Sequence, residues 1–125
     1  MRRASAVLFA RDQNKVAAFY AAVFRAEVRS SDANHTSLNC ADFVLTVHQI
    51  PAHLMPVADG EPVQRREASA IRIDYPVADL DLARQEAGRL GGCVDAQPPP
   101  WAGGDTRFFL GQDPEGNVFG LKVER

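Results

Sequence analysis

The chain has 125 residues, of which 46% are hydrophobic, and this size and composition fit one compact domain with a single core. Its 14 basic and 16 acidic residues are scattered along the sequence and give a formal net charge of −2, so we expect no nucleic-acid partner. No apolar run approaches the roughly 20 residues of a membrane span, so we expect no membrane insertion.

The first half of the chain has the patterns of a strand, a helix and three further strands. Residues 5–10 form a short apolar run that predicts a buried strand, and Asp12 follows as a candidate helix N-cap. Apolar residues at helical spacing predict an amphipathic helix over residues 14–25. Alternation and β-forming residues then predict three strands, at residues 27–31, 36–40 and 42–49.

A connection rich in proline and glycine, at about residues 51–67, separates this half from a second half with the same order of elements. A strand is predicted at residues 70–77, and Asp79 is placed as the N-cap of a helix that ends at Leu90. The glycines that follow supply the left-handed stop of this helix. The sequence therefore predicts two modules, at about residues 1–50 and 68–125.

The C-terminal part of the second half combines an irregular loop with two strands. Residues 98–104 are rich in proline and glycine and contain Trp101, so they predict a loop. Strands are predicted at residues 106–110 and 118–123, and the DPEGN sequence at residues 113–117 predicts a tight turn between them.

With these elements the chain resembles the vicinal-oxygen-chelate superfamily, which includes glyoxalase I, bleomycin-resistance proteins, fosfomycin-resistance enzymes and extradiol dioxygenases. The resemblance rests on Phe19 and Tyr20, seven and eight residues after Asp12, on the DPEGN turn, and on the duplicated order of elements. It implies an α+β fold of two tandem β-α-β-β-β modules that form a curved mixed sheet with a cup-shaped cavity. Ala26 departs from the family pattern, which commonly has a glycine at the end of the first helix.

Enzymes of this superfamily hold a divalent metal with one His, Gln or Glu from each of four strands. By the resemblance, three of these positions fall on Ser5, Arg72 and Gly120. The fourth falls on the strand face of Val44, Thr46 and His48, with Thr46 as the first choice and His48 two residues further on. Serine is a poor ligand, arginine is always cationic, and glycine offers no donor. We therefore expect a cup that holds neither a metal nor another cofactor.

The residues expected to bind a ligand lie on the strand faces turned away from the helices, or in the loop above them. They are Phe9, Thr46, His48, Arg72, Asp74, Trp101 and Lys122. For several of them two interpretations stay open. Arg72, on a predicted buried strand between the helix-facing Ile71 and Ile73, would form either an internal ion pair or a contact with an anionic or carbonyl-bearing ligand. Trp101 would cover either the cup or the end of the core.

The three histidines are interpreted differently. His35 falls in a predicted polar turn and His53 in the connection, so both are expected to be solvated. His48 alternates with helix-facing residues on a predicted strand, and is the one candidate for ligand contact or for general-base catalysis.

Three functions stay open at this stage. The leading one is a metal-independent protein that binds a small organic molecule, similar to the bleomycin-resistance proteins. The second is a superfamily enzyme of lyase, isomerase or dioxygenase type that works without a metal or with an unrecognised ligand set, for example by isomerase or lyase chemistry with His48 as general base. A metal-dependent enzyme is disfavoured by the missing donors.

The assembly and the compartment are also expectations. The resemblance implies a homodimer, and leaves open whether each cup is built from one chain or from two. Cys40 and Cys93 lack the spacing of a disulfide scaffold or of a CxxC motif, which is typical of a protein in the reducing cytoplasm.

Overall fold

The computed structural model describes residues 2–55 and 63–124, which form two modules with the same order of elements. The middle of the predicted connection, at residues 56–62, lies outside the described residues, so the exact module boundary stays a prediction. The first module contains β1 (Ala4–Ala10), α1 (Gln13–Val23), β2 (Glu27–Ser31), β3 (His35–Cys40) and β4 (Phe43–Gln49). The second contains β5 (Ile73–Val77), α2 (Leu80–Arg89), β6 (Cys93–Val94), β7 (Phe108–Gln112) and β8 (Val118–Val123).

Each module has one four-stranded mixed sheet. The strand orders are β1-β4-β3-β2 and β5-β8-β7-β6, so the first strand of each module lies at a sheet edge. That first strand runs parallel to its neighbour, and the other pairs are antiparallel. The predicted α+β fold of two tandem β-α-β-β-β modules is therefore confirmed. No helix within the described residues is long and apolar enough to cross a membrane.

The helices begin at the predicted caps. The Asp12 carboxylate accepts the backbone N–H of Lys15 at 3.1 Å, and the Asp79 carboxylate accepts that of Leu82 at 3.0 Å. After α2 the chain leaves the helix through Gly91, whose φ is 92°. After α1 the left-handed position is taken by Arg25, with a φ of 53°, directly before Ala26.

Both helices and one face of each sheet form a single core. The rings of Phe24, from the end of α1, and Tyr75, from β5, are stacked with their centroids 4.4 Å apart. Phe119 of β8 packs against Phe19 and Tyr20 of α1. The two modules are thus joined through the helix-facing sides of their sheets, which leaves the opposite sides of the sheets uncovered by the helices.

The two motifs that carry the resemblance contact each other. The Tyr20 hydroxyl donates to the Asp113 carboxylate at 2.8 Å, and Asp113 is fully buried. Asp113 also accepts the backbone N–H groups of Glu115 and Asn117, which closes the DPEGN turn. The Glu115 carboxylate in turn accepts the backbone N–H groups before α1, at Arg11 and Asp12. This turn therefore connects the second module to the start of α1 through hydrogen bonds.

The structure corrects the predicted starts of two strands. The β5–β8 ladder begins with the pair Ile73 and Phe119, not at residue 70. Ile71 is 82% exposed, so the prediction that it faces a helix is wrong, and Arg72 precedes β5 and does not lie on a buried strand. Strand β7 begins at residue 108, not 106, because a turn in which the Asp105 carboxylate accepts the Arg107 N–H precedes it.

Candidate functional site

The first module presents one side of its sheet away from α1. Val7 and Phe9 of β1 lie on this side, beside their register partners Thr46 and His48 of β4. We call these four residues the module 1 face. Val7 and Phe9 are 54% and 59% exposed, whereas the alternate β4 residues Leu45 and Val47 are fully buried. The alternation expected for β4 is therefore present.

His48 has a defined hydrogen bond on one ring nitrogen. Its Nδ1 lies 2.9 Å from the backbone oxygen of Gln49. Because a carbonyl oxygen only accepts, Nδ1 carries the proton, and in the neutral ring Nε2 keeps a free lone pair. The Phe9 ring lies 5.5 Å from the His48 ring, between centroids. The structure thus gives His48 one nitrogen that can accept a proton.

His35 was not expected in this neighbourhood. It starts β3, is half-buried, and pairs in register with His48, with the two rings roughly parallel at 6.4 Å. Its predicted placement in a turn is therefore wrong, while its side chain is still 37% exposed. The alternation of residues 35–40 could have predicted this position, because His35 and Ser37 then lie on the same face of the strand. Ser37 also lies 3.0 Å from the Thr46 hydroxyl, oxygen to oxygen. His53, in contrast, is exposed as expected, in a short 3₁₀ helix, Ala52–Leu54.

The second module presents a denser cluster on the corresponding side of its sheet. Arg72 donates from Nε to one oxygen of Asp74 at 2.6 Å and from Nη2 to the other at 2.9 Å. The internal ion pair, one of two interpretations left open for Arg72, is therefore present. The hydrogen bond to Asp74 raises the pKa of the Arg72 guanidinium further above its already high usual value.

Two aromatic rings, those of Trp101 and Phe108, pack together on one side of the Arg72 guanidinium, with their centroids 5.6 Å apart. Its central carbon lies 5.2 Å from the centre of the Trp101 ring and 5.1 Å from that of Phe108. Trp101, in a short 3₁₀ helix at Pro100–Ala102, is 61% exposed and covers Arg72. Phe108 of β7 was missed as a site residue, although it falls within the predicted strand. We call Arg72, Asp74, Trp101, Phe108 and Lys122 the module 2 face.

Gly120 of β8 lies under this cluster. It is the register partner of Asp74, and the next exposed residue on the same side is Lys122, the partner of Phe108. A Cβ atom on Gly120 would stand 2.3 Å from the Asp74 carboxylate and 2.7 Å from the Phe108 ring. The space in which a larger side chain would stand is already filled by these two groups.

The four positions that the resemblance assigns to metal ligands do not fit a divalent ion. Arg72 brings a positive charge, and Gly120 has neither a donor nor space for one. Ser5 and Thr46 offer neutral hydroxyls, which bind such ions weakly. Within residues 2–55 and 63–124 no three His, Cys, Asp or Glu side chains are grouped so as to hold a metal. That the protein works without a metal stays a prediction.

The structure groups the predicted site residues in two places. Phe9, Thr46 and His48 lie on the module 1 face, while Arg72, Asp74, Trp101 and Lys122 lie on the module 2 face. Across the described parts of the chain, no hydrogen bond, ion pair or ring contact joins the two faces. A cavity of about 360 Å³ lies between the edge strands β1 and β5, and its lining includes Val7, Ile71 and Val118.

The fold and these two faces define a glyoxalase-like class of protein. The family model described as "Glyoxalase-like domain" matches residues 5–121, and the chain belongs to that family. Comparison with curated proteins finds no match.

Solved structures of similar fold include fosfomycin resistance proteins. One is a variant of FosX from Listeria monocytogenes complexed with Mn(II) and 1S,2S-dihydroxypropylphosphonic acid, at 17% identity over 100% of this chain and 90% of that chain, with a TM-score of 0.67. FosX from Mesorhizobium loti is 18% identical over 100% and 92%, with a TM-score of 0.64. An integron cassette protein from V. cholerae is 19% identical over 100% and 96%, with a TM-score of 0.63. These matches place the chain in the vicinal-oxygen-chelate fold.

Proposed function

We propose that this protein binds a small organic molecule in a cup that holds no metal. The observation that carries the proposal is the module 2 face, where an ion pair of Arg72 and Asp74, packed against two aromatic rings, stands beside a glycine at the expected ligand position. Apolar and aromatic walls with a few fixed polar groups are the usual composition of a small-molecule site. The two faces together have this composition.

We further propose that each cup is completed in a homodimer, by the module 1 face of one chain and the module 2 face of its partner. Among the described residues the two faces make no direct polar or ring contact with each other, and Val7 and Phe9 remain more than half exposed. Apolar side chains on a strand at the edge of a sheet favour burial against another surface. A second copy would bring such a surface and would enclose the ligand.

A second candidate function, favoured by one observation, is catalysis by His48. Its Nδ1–H is engaged by the Gln49 carbonyl, so the Nε2 of the neutral ring is free to take a proton from a bound substrate. This geometry suits an isomerase or a lyase in which the enzyme removes a proton beside a carbonyl group. Binding without turnover remains the leading proposal, because both oxygens of the Asp74 carboxylate, the acidic group of the module 2 face, already accept hydrogen bonds from Arg72.

The proposal also includes a cytoplasmic location. Both cysteines are free thiols, with Cys40 buried and Cys93 exposed. An exposed, unpaired thiol persists more readily in a reducing compartment.

A ligand screen tests the function. The purified protein is melted with a panel that includes fosfomycin, bleomycin, aromatic acids, diols and neutral aromatic compounds, and hits are measured by equilibrium dialysis. We expect a saturable ligand whose binding is weakened by Trp101→Ala and by Phe9→Ala. Val28→Ala is the control, because Val28 is equally exposed but belongs to β2, outside both faces. A hit that binds all three variants equally would contradict the proposed site.

The same hits separate binding from catalysis. Each ligand is incubated with the wild type and with His48→Ala, and its products are followed by mass spectrometry. Unchanged ligand with both proteins supports a binding protein. Turnover by the wild type that is lost in His48→Ala would instead show that the protein is an enzyme with His48 as a catalytic residue.

A further inference from the structure

We propose that the guanidinium of Arg72 is the cation of this site and that it binds the carboxylate of an organic acid through its outer edge. This inference rests on the proposed function and adds the chemical class of the ligand. It starts from the hydrogen bonds that Arg72 makes and from those that it leaves free.

Arg72 uses one edge of its guanidinium for Asp74. Of its five N–H donors, the one on Nε and one on Nη2 point to the Asp74 carboxylate. The other Nη2 hydrogen and both Nη1 hydrogens have no acceptor among the described residues. The Arg72 side chain is also 33% exposed, so part of it is open to solvent, and we place the ligand at its outer edge. Two parallel N–H groups there match the two oxygens of a carboxylate.

The aromatic rings fix the direction of this edge. Trp101 and Phe108 both lie about 5 Å from the guanidinium carbon, and the Asp74 carboxylate holds the group in its plane. Because the two rings cover one side of the guanidinium and Asp74 occupies one of its edges, a ligand can form in-plane hydrogen bonds with the outer edge. A guanidinium held in this way loses little conformational entropy on binding, which favours a bidentate contact.

The charges on the module 2 face favour an anion. Asp74 neutralises one positive charge, and Lys122 adds another on the same side of β8, so Arg72, Asp74 and Lys122 together carry a net charge of +1. A fixed guanidinium also disfavours a divalent cation through like-charge repulsion. The same side chain that makes the metal position unsuitable for a metal therefore makes it suitable for a carboxylate.

Matched pairs of acids and amides test the inference by isothermal titration calorimetry at low ionic strength. The probes are benzoate with benzamide and 2-naphthoate with 2-naphthamide, which differ in charge but little in shape. We expect the acids to bind the wild type at least about tenfold more tightly than the amides. Arg72→Gln should weaken the acids by about tenfold to 100-fold and leave the amides unchanged.

Two further variants keep the result clear. Arg89→Gln is the control, because Arg89 is also paired with a carboxylate, Glu86, but lies on α2. Arg72→Lys keeps the positive charge but loses the pair of parallel N–H groups. It should therefore bind the acids more weakly than the wild type and more tightly than Arg72→Gln. It also serves as the test if Arg72→Gln fails to fold, as judged by circular dichroism.

The possible results distinguish this inference from the proposed function. Equal binding of acids and amides, or acid binding that survives Arg72→Gln, overturns the role of Arg72 while leaving a small-molecule site in place. Failure of every compound in both the paired probes and the wider screen would overturn the proposed function and the inference together.

Discussion

The hydrogen bond between Tyr20 and Asp113 is the most enclosed polar contact in the described chain. Tyr20 is 3% exposed and Asp113 is fully buried, so neither group can be solvated if the other is removed. Hydrogen bonds to charged groups contribute about 1.5–3 kcal/mol. We expect Tyr20→Phe to lower the free energy of unfolding by about that amount in urea denaturation.

Tyr75→Phe is the matched control for this variant. The Tyr75 ring is also largely buried, but its hydroxyl makes no hydrogen bond to a described residue. We expect a change below about 1 kcal/mol. A loss in Tyr75→Phe as large as that in Tyr20→Phe would contradict the account of the Asp113 contact.

The same contact predicts a dependence on alkaline pH. Burial, and then the nearby Asp113 carboxylate, raise the pKa of Tyr20 well above its usual value near 10. The folded state therefore favours the neutral phenol, and this contribution is fully present below about pH 10 and is lost as the pH rises above it. Urea titrations from neutral to strongly alkaline pH should show a shallower loss of stability in Tyr20→Phe. Parallel pH profiles for the two proteins would refute this.

Arg72 shows what the sequence could and could not predict at the scale of residues. Its charge, its place beside Asp74 and its position at an expected metal site were all visible in the sequence. The choice between an internal ion pair and ligand contact was not, because Trp101 and Phe108 come from distant segments. Their docking on Arg72 depends on tertiary packing of an irregular loop, which no periodicity records.

At the scale of elements, the two helix exits differ. Gly91 takes the left-handed conformation after α2 without a side-chain clash, while Arg25 takes it after α1. For a residue with a Cβ atom the left-handed conformation costs roughly 1–2 kcal/mol. Replacement by glycine removes this cost, but the greater freedom of glycine in the unfolded state offsets part of the gain in stability. We expect Arg25→Gly to raise the free energy of unfolding by about 0.5–1 kcal/mol.

A substitution at the same position with the opposite expected effect on stability provides the control. Arg25→Val places a β-branched side chain in the left-handed region and should lower the free energy of unfolding. Both variants are compared with the wild type by thermal melting. A destabilised Arg25→Gly protein would show that the Arg25 side chain makes a contribution larger than its backbone strain.

Sequence periodicity predicted most elements because the hydrophobic pattern of each one ends close to the boundaries of the helix or strand. Strands β2 and β8 have the predicted bounds, and both helices start after their predicted caps. The starts of β5 and β7 were missed because a strand begins where its partner offers hydrogen bonds. Ile71 is apolar, as in a strand, but it lies beyond the first pair of the ladder. Composition alone does not show where the first hydrogen-bonded pair of a ladder lies.

At the scale of the whole molecule, the open module 1 face predicts an oligomer. We expect the wild type to sediment as a dimer in analytical ultracentrifugation and Phe9→Asp to sediment as a monomer, since a charge would be buried in the interface. Val28→Asp is the control, because Val28 and Phe9 are almost equally exposed, at 58% and 59%. A monomeric wild type, or equal dissociation by both variants, would rule out the proposed pairing.

The order of elements and the duplicated plan were predictable for the whole molecule because each module repeats the same caps and strand patterns. The separation of the site into two faces was not. It depends on how α1 packs against α2 and on the stacking of Phe24 on Tyr75, which are contacts between modules. The sequence therefore indicated which residues share a face of each sheet but not which of them lie together in one chain.

A metal titration tests the central claim of a cup without a metal most directly. The protein is stripped with chelator and titrated with Mn²⁺, Ni²⁺, Zn²⁺ and Fe²⁺ by calorimetry and thermal melting, with FosX from L. monocytogenes, which has been crystallised with Mn(II), as the positive control. The account predicts no stoichiometric binding and an unchanged melting temperature. An ion bound one per chain that stabilises the fold by about 2.7 kcal/mol at 100 times its Kd would contradict it.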